Sequence, residues 1–521
     1  MRRILYVLPR LAAGFLFLTV LCCSSRGTRA RQPPAKDVQA LPSIQPRPVN
    51  FEVRVVDSEP IQIVYSLESI LGLPVRTPAL AEALCSPTSS KEGGDSCKRI
   101  RALGTRGVRG LRVNNGSKIS SVVPILNPEE RLENLAIRSK TLADLESRLR
   151  DLISSEEHDA LMKALREVRT LRRQHLSDEL HERLGPARDH FAALLAEHRV
   201  TEFLSLVAQF FSLRSPPEMV SVALIPIPVQ KGTGVTTFAH QAGDAVVVEI
   251  LTDDNLEHRL SVVVHELVHV LWFSRSRKAT QDLWNQFEAL GESEAYLARA
   301  LLNEALATAL GNGLFPSISS GKVPEESLYA DPYIDAFARS LLVFYRSQFT
   351  AGKPPGPGFA EQVTQVFKAQ FPNGLYDPRL VFRDVALVVP DESPDLNGLI
   401  RAVRRSLGTI ALQVLAPPHS EATRAQVIGA PNRSALIVIP LEKLDTVSAF
   451  FHVDLIHSLL GTVMESGLPQ VISCRHKSGR WYALVLADKP QQALAGIDRL
   501  ANTERMPDCD VITVGRTGTD R

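Results

Sequence analysis

Two histidines stand four residues apart in "SVVVHELVHVLWF", Ser261 to Phe273, and a glutamate directly follows the first. At 3.6 residues per helical turn, His265 and His269 lie one above the other and aim both imidazoles at one point. Glu266 is rotated about 100° from His265, beside that point, where it can accept a proton from a water without being a ligand. With 13 histidines in 521 residues, the pattern H-E-x-x-H should arise by chance about 0.02 times in such a chain. A lone histidine on an apolar helix face is normally a satisfied core residue. Two of them around an acid, between "VVV" and "VLWF", are costly to bury unless paired or coordinated. The spacing therefore predicts a metal site, and imidazole ligands beside an acid predict Zn2+.

A catalytic zinc takes three protein ligands and keeps one position open. The third is sought downstream, where "EAYLARALLNEALATALGNG" supplies Glu304, preceded by Asn303 and followed by small alanines. Gly311 and Gly313 are expected to end that helix. Glu288, Glu292 and Glu294 are alternative ligands, nearer the turn between "KATQDLWNQFEALG" and "SEAYLARALLNEALATAL".

His265, Glu266, His269, Asn303 and Glu304 together resemble the gluzincin clan of zinc metallopeptidases, in which H-E-x-x-H is followed by a later helix bearing N-E or a related pair. A metzincin would continue with a glycine at 272 and a histidine at 275, where this chain has Trp272 and Arg275. The resemblance implies zinc on His265, His269 and Glu304, Glu266 as general base, and a peptide or protein substrate cut by a zinc-activated water. Clan members also use a later Tyr or His to steady the oxyanion, and "SLYADPYIDAFARSLLVFY" offers Tyr329 and Tyr333 for that role. Thermolysin-like members place an Asp four residues after the ligand Glu to orient a histidine. Thr308 stands there in this chain, so the groups behind the ligands must differ. The G-x-M-E-N signature of the aminopeptidase branch is missing. The resemblance further implies that substrate adds a strand beside "AVVVEIL", Ala245 to Leu251, read as a sheet edge. A rival from another class is a non-catalytic envelope protein that keeps the zinc fold as a scaffold and binds a partner. Glu266 favours the enzyme, because a scaffold needs the histidines but not the base.

The elements that must hold these residues are legible in outline. "VSVALIPIPVQ" and "DAVVVEILTDD" are β-branched runs bounded by Gly and Pro and predict two strands before the motif. The motif helix should start near Asp253 to Asn255, where acceptor side chains can cap free N–H groups. From Leu132 to Phe211 apolar residues recur at three and four, predicting several amphipathic helices. "SPTSSKEGGDSCKRIRALGTRGVRGLRVNNGSK" reads as a basic, solvated loop. After "AGKPPGPGF", strand-like runs alternate with helical ones, predicting a separate α/β domain. No P-loop is present, and "KGTGVTTF" lacks the third glycine of a dinucleotide fingerprint.

The expected class is α+β: a mainly helical zinc-metallopeptidase domain with a small sheet, then a C-terminal α/β domain. The divisions read 1–23, signal peptide or lipoprotein signal; 24–48, Pro-rich tether; 49–200, mainly helical; 201–350, metal core; 351–383, linker and helix; 384–521, α/β. With 44% hydrophobic residues the chain can form sizeable cores, and a net charge of +2 gives no reason to expect nucleic acid. "MRRILYVLPR" followed by "LAAGFLFLTVL" has a signal-peptide layout, which predicts export to the periplasm, the medium or a lipid-anchored envelope position. Lipidation at Cys22 and membrane attachment through that lipid or a retained signal anchor both stay open. Export would allow disulfides, and local pairing links Cys85 with Cys97 and Cys474 with Cys509.

Overall fold

A computed structural model of the chain describes residues 52–73, 77–85, 91–111, 128–176, 178–229, 237–251, 253–321, 324–390, 395–430, 433–443, 470–475, 480–506 and 510–511. The expected signal, the tether and Cys22 lie outside these residues, as does Cys509. Among the described residues no helix is long and apolar enough to cross a membrane.

The chain is mostly helical with two small mixed sheets, an α+β arrangement. The first sheet holds β1 (Glu52–Val56), β2 (Met219–Ile227), β3 (Ala239–Ala242) and β4 (Ala245–Leu251), in the order β1-β2-β4-β3. β1, β2 and β4 run parallel, and β3 is antiparallel to β4. β1 comes from the N-terminal region, so that region and the metal core share one sheet. β4 is buried along its whole length, which explains its near-continuous β-branched sequence: parallel strands covered on both faces lose the polar alternation. Val246, Val248 and Ile250 face the core of the motif helix. Ala245, Val247 and Leu251 face a second core under the N-terminal helices.

Two expectations are corrected here. The strand Ala245–Leu251 is not an edge, because β3 folds back onto it through Gly243, whose φ of 70° suits a tight two-residue hairpin turn. The short "AHQA" carries too weak a pattern to announce itself as a strand, yet it takes the edge. The basic segment read as a loop is largely a helix, Lys91–Gly110, lying against the helix Ser155–His175. Gly107 serves close approach there, not turning: a Cβ on it would sit 2.5 Å from Leu161 Cβ and 2.8 Å from its Cα. That helix carries Cys97, which is joined to Cys85 in a disulfide. Cys474 is buried in the second sheet.

That second sheet has the order β10-β8-β9-β7-β5-β6, from β5 (Asp384–Val388), β6 (Ala411–Leu415), β7 (Ser434–Ile439), β8 (Gln470–Arg475), β9 (Trp481–Leu486) and β10 (Asp510–Val511). β6, β5, β7 and β9 are parallel, while β8 and β10 are antiparallel to their neighbours. The helices Leu396–Leu407 and Pro490–Ala501 cover one face, as the alternating sequence pattern requires.

One acid ties the N-terminal helices to the first sheet. Glu249, fully buried on β4, accepts hydrogen bonds from the Tyr65 hydroxyl at 2.6 Å and from the backbone N–H groups of Thr77 and Phe238, both at 2.8 Å. Beside it, His240 of β3 lies 2.9 Å from Glu133. A carboxylate in a strand of valines gives no warning in the sequence of its three distant donors. Glu249→Ala should strand those donors in a dry interface and cost about 3 kcal/mol or more of stability. Urea unfolding of the variant against the wild type measures this directly.

Candidate metal centre

The motif helix, Leu260–Phe273, is preceded by a 3₁₀ turn, Leu256–Arg259, whose cap is Asn255: its side chain accepts from Glu257 N at 3.0 Å. The helix is apolar almost all round and is accordingly buried almost all round, with β3 and β4 on one side and the helix Ser293–Ala307 on another. His265 and Glu266 are fully buried, and His269 and Glu304 nearly so.

The two helices bring three donors together. His265 Nε2 lies 3.1 Å from His269 Nε2 and 3.1 Å from Glu304 Oε1, and His269 Nε2 lies 3.4 Å from Glu304 Oε2. Ligands about 2.0–2.1 Å from a tetrahedral ion stand roughly 3.3 Å apart. Two imidazole nitrogens and the two oxygens of one carboxylate therefore meet at separations and with a chemistry that suit one face of such a site. His265, His269 and Glu304 form a buried group that could hold a metal ion.

The alternative ligands are elsewhere. Glu288 pairs with Arg299 at 3.4 Å and Glu292 with Lys368 at 3.2 Å. Glu294 starts the helix that ends near Glu304, about 15 Å along the axis from it.

The groups behind the ligands show how this chain manages without an Asp at 308. Asn303 Oδ1 lies 3.2 Å from His269 Nδ1, which fixes Nδ1–H as the donor and turns Nε2 toward His265 and Glu304. Thr308 is fully buried, but neither its hydroxyl nor His265 Nδ1 has a hydrogen-bond partner among the described residues. His265 is instead held by packing. The Tyr329 ring stacks on it, centroids 5.8 Å apart and planes 19° from parallel. On the other side comes Gly311, where a Cβ would lie 2.5 Å from both the Cα and the N of His265. The glycines expected to end the helix do not end it. The chain continues through a π-helical stretch, Thr308–Leu314, into the helix Phe315–Ser319, and Gly311 lets that stretch touch the motif helix backbone to backbone.

Of the two tyrosines, the structure brings only Tyr329 to the triad. It is buried, and its pKa is raised by that burial, then by the charge of Glu304 and a hydrogen bond to it, so its hydroxyl stays a donor. Tyr333 faces away: its hydroxyl donates to Asp377 Oδ2 at 2.5 Å, and Arg383 lies over its ring. It stands in the first turn of the helix Pro332–Thr350, whereas Tyr329 lies in the irregular segment before the Asp331 cap.

Titration in the triad is one linked problem. Burial pushes His269 down, but the charge and hydrogen bond of Glu304, the charge of Glu266 and the Asn303 contact outweigh it and raise His269 to about 9. Burial lowers His265, and the His269 charge adds to this against the pull of Glu304. Glu304 is lowered, because the two histidines overcome its burial. Without metal, the pair of imidazoles thus carries one excess proton, on His269, while His265 is neutral.

No protein-family model, no curated protein and no solved structure matches the chain.

Two outcomes test the site. A metal must displace the proton on His269, so uptake at pH 7 should release close to one proton per ion, and affinity should rise with pH until about 9 and then level. Calorimetry in buffers of different ionisation enthalpy counts that proton. Gly311→Ala should push the π-helical stretch off His265 and weaken metal binding about 10- to 100-fold, measured by competition with a chromogenic chelator.

Proposed function

We propose that the chain is an exported zinc-dependent metallopeptidase of gluzincin type, hydrolysing peptide bonds of peptide or protein substrates. The observation that carries this reading is Glu266. It is a fully buried acid next to His265, its charge acts on His269, and it is not one of the three convergent donors. A metal scaffold has no use for an acid in that position, whereas hydrolysis needs a base there.

The donor set supports zinc as the ion, since two imidazoles and one carboxylate leave a fourth position open. Bound zinc would polarise a scissile carbonyl and lower the pKa of a water in that open position. Glu266 would take that water's proton and return it to the leaving amine. Asn303 holds the His269 tautomer, and Tyr329, kept protonated by burial and by Glu304, supplies a donor for the oxyanion. The sheet edge beside the motif helix is β3, not β4. Export rests on the N-terminal charge and apolar pattern and on the chemistry of the Cys85–Cys97 disulfide, which persists in oxidising compartments.

One observation favours the second reading, a non-catalytic envelope protein on a metal scaffold: all three donors and Glu266 are almost completely buried. Glu266→Gln separates the two. The substitution preserves shape and leaves the three ligands in place, so folding and zinc content should persist. Under the peptidase reading, turnover of a broad peptide library should fall by about 10² to 10⁴. Wild-type protein loaded with zinc that cuts nothing in the library would establish the scaffold reading, and a fully active Glu266→Gln would remove Glu266 from the base role.

A further inference from the structure

Away from the metal, a cavity of about 410 Å³ opens at the seam between the helical core and the C-terminal domain. Its volume lies within the range of small-molecule sites, but its wall is polar and arginine-rich. Three segments build it. Ala330 to Tyr333, at the start of the helix Pro332–Thr350, form one wall; Arg379 and Arg383 come from the connection into β5; and Arg405 to Gly408, with Asp498 and Asn502, come from the ends of the two helices that cover the second sheet.

The charges in the cavity divide into those already satisfied and those that are not. Arg383 is nearly fully buried and pairs with both oxygens of Asp331, at 2.7 and 3.0 Å, while donating to Gly408 O at 2.8 Å. Gly408 has φ 64°, and a Cβ there would come within 2.8 Å of Arg383 Nη1, so a glycine is required for that contact. Asp331 is doubly used, since the same carboxylate caps the helix through Tyr333 N and Ile334 N. Asp498 accepts from the Ser406 hydroxyl at 2.5 Å. The Arg383–Asp331 pair thus forms a fixed, neutral floor. Arg379 and Arg405 remain exposed on separate walls, and neither has an ion-pair partner among the described residues.

We propose that this cavity is a binding site for a small anion carrying phosphate or carboxylate groups, held by Arg379 and Arg405. Two guanidinium groups from separate segments of the lining present forked donors that match the paired oxygens of either group, and the neutral floor adds no repulsion. Asp498, already engaged by Ser406, is the one acid of the lining that no arginine of the cavity pairs, and it stands against an anion. Because Arg379 lies on the connection out of the helical core and Arg405 on a helix of the C-terminal domain, a bound anion ties those two segments together. Asp331, two residues from Tyr329, links the cavity floor to the ring that stacks on His265.

The test uses the full chain and two probes, inorganic phosphate and succinate, titrated by calorimetry and by thermal midpoint at constant ionic strength set with sodium chloride. At least one probe should bind saturably and raise the midpoint. Arg379→Ala with Arg405→Ala removes only exposed side chains, so the double variant should fold, and its affinity should drop at least about tenfold. Arg424→Ala, an exposed arginine on another helix, should leave binding unchanged. Saturation by phosphate alone or succinate alone would support the site and identify the group it takes. Absence of saturable binding with both probes, or binding that the double variant retains in full, would overturn the proposal.

Discussion

The arrangement of this protein depends on three polar donors meeting where water does not reach. His265, His269 and Glu304 approach to 3.1–3.4 Å in a place where burial alone would push a histidine toward neutrality and a carboxylate toward protonation. Such a group is tolerable only if its members satisfy one another or share an ion. Everything packed around it serves that closeness: the apolar motif helix, the crossing helix with Glu304, and the glycine that lets their backbones touch.

That closeness sets requirements at a distance. The motif helix needs a firm surface behind it, and the four-stranded sheet supplies one only because its far side is also covered. The apolar core under the N-terminal helices covers it, and Glu249 adds a polar anchor within that core, gathering a hydroxyl and two backbone donors from the N-terminal helices and the start of β3. A buried, fully bonded acid of this kind fixes register and orientation more sharply than valines can. The N-terminal helices therefore act on the His265–His269–Glu304 group through the sheet.

On the opposite side, the C-terminal α/β domain meets the core through Arg383. Its guanidinium holds Asp331, Asp331 caps the helix Pro332–Thr350, and the short segment before that cap delivers Tyr329 to His265. The second domain thus contributes to the position of a ring beside the candidate metal site without supplying any of its three donors.

The sequence by itself determined the local geometry of the centre. Helical spacing alone places His265 above His269 and Glu266 beside them, and the apolar run around them requires burial, because these are properties of neighbours along one helix. The α/β character of the C-terminal region and the strands before the motif were legible for the same reason, since each is a periodic pattern within a dozen residues. Tertiary structure decided whatever depends on a partner far along the chain. Glu304 was singled out among several acids by its seat on the next helix, but only the crossing puts its oxygens on the imidazoles. Gly107 and Gly311 read as breaks and prove to be contact points, since a missing Cβ serves a turn and a close crossing equally well. Tyr329 and Tyr333 were equivalent as residues, and the segment before the Asp331 cap carries the first to His265 while the first helical turn after it carries the second to Asp377. Glu249 and the edge strand β3 had no local signal, because the one is defined by three donors from other elements and the other by the strand it covers.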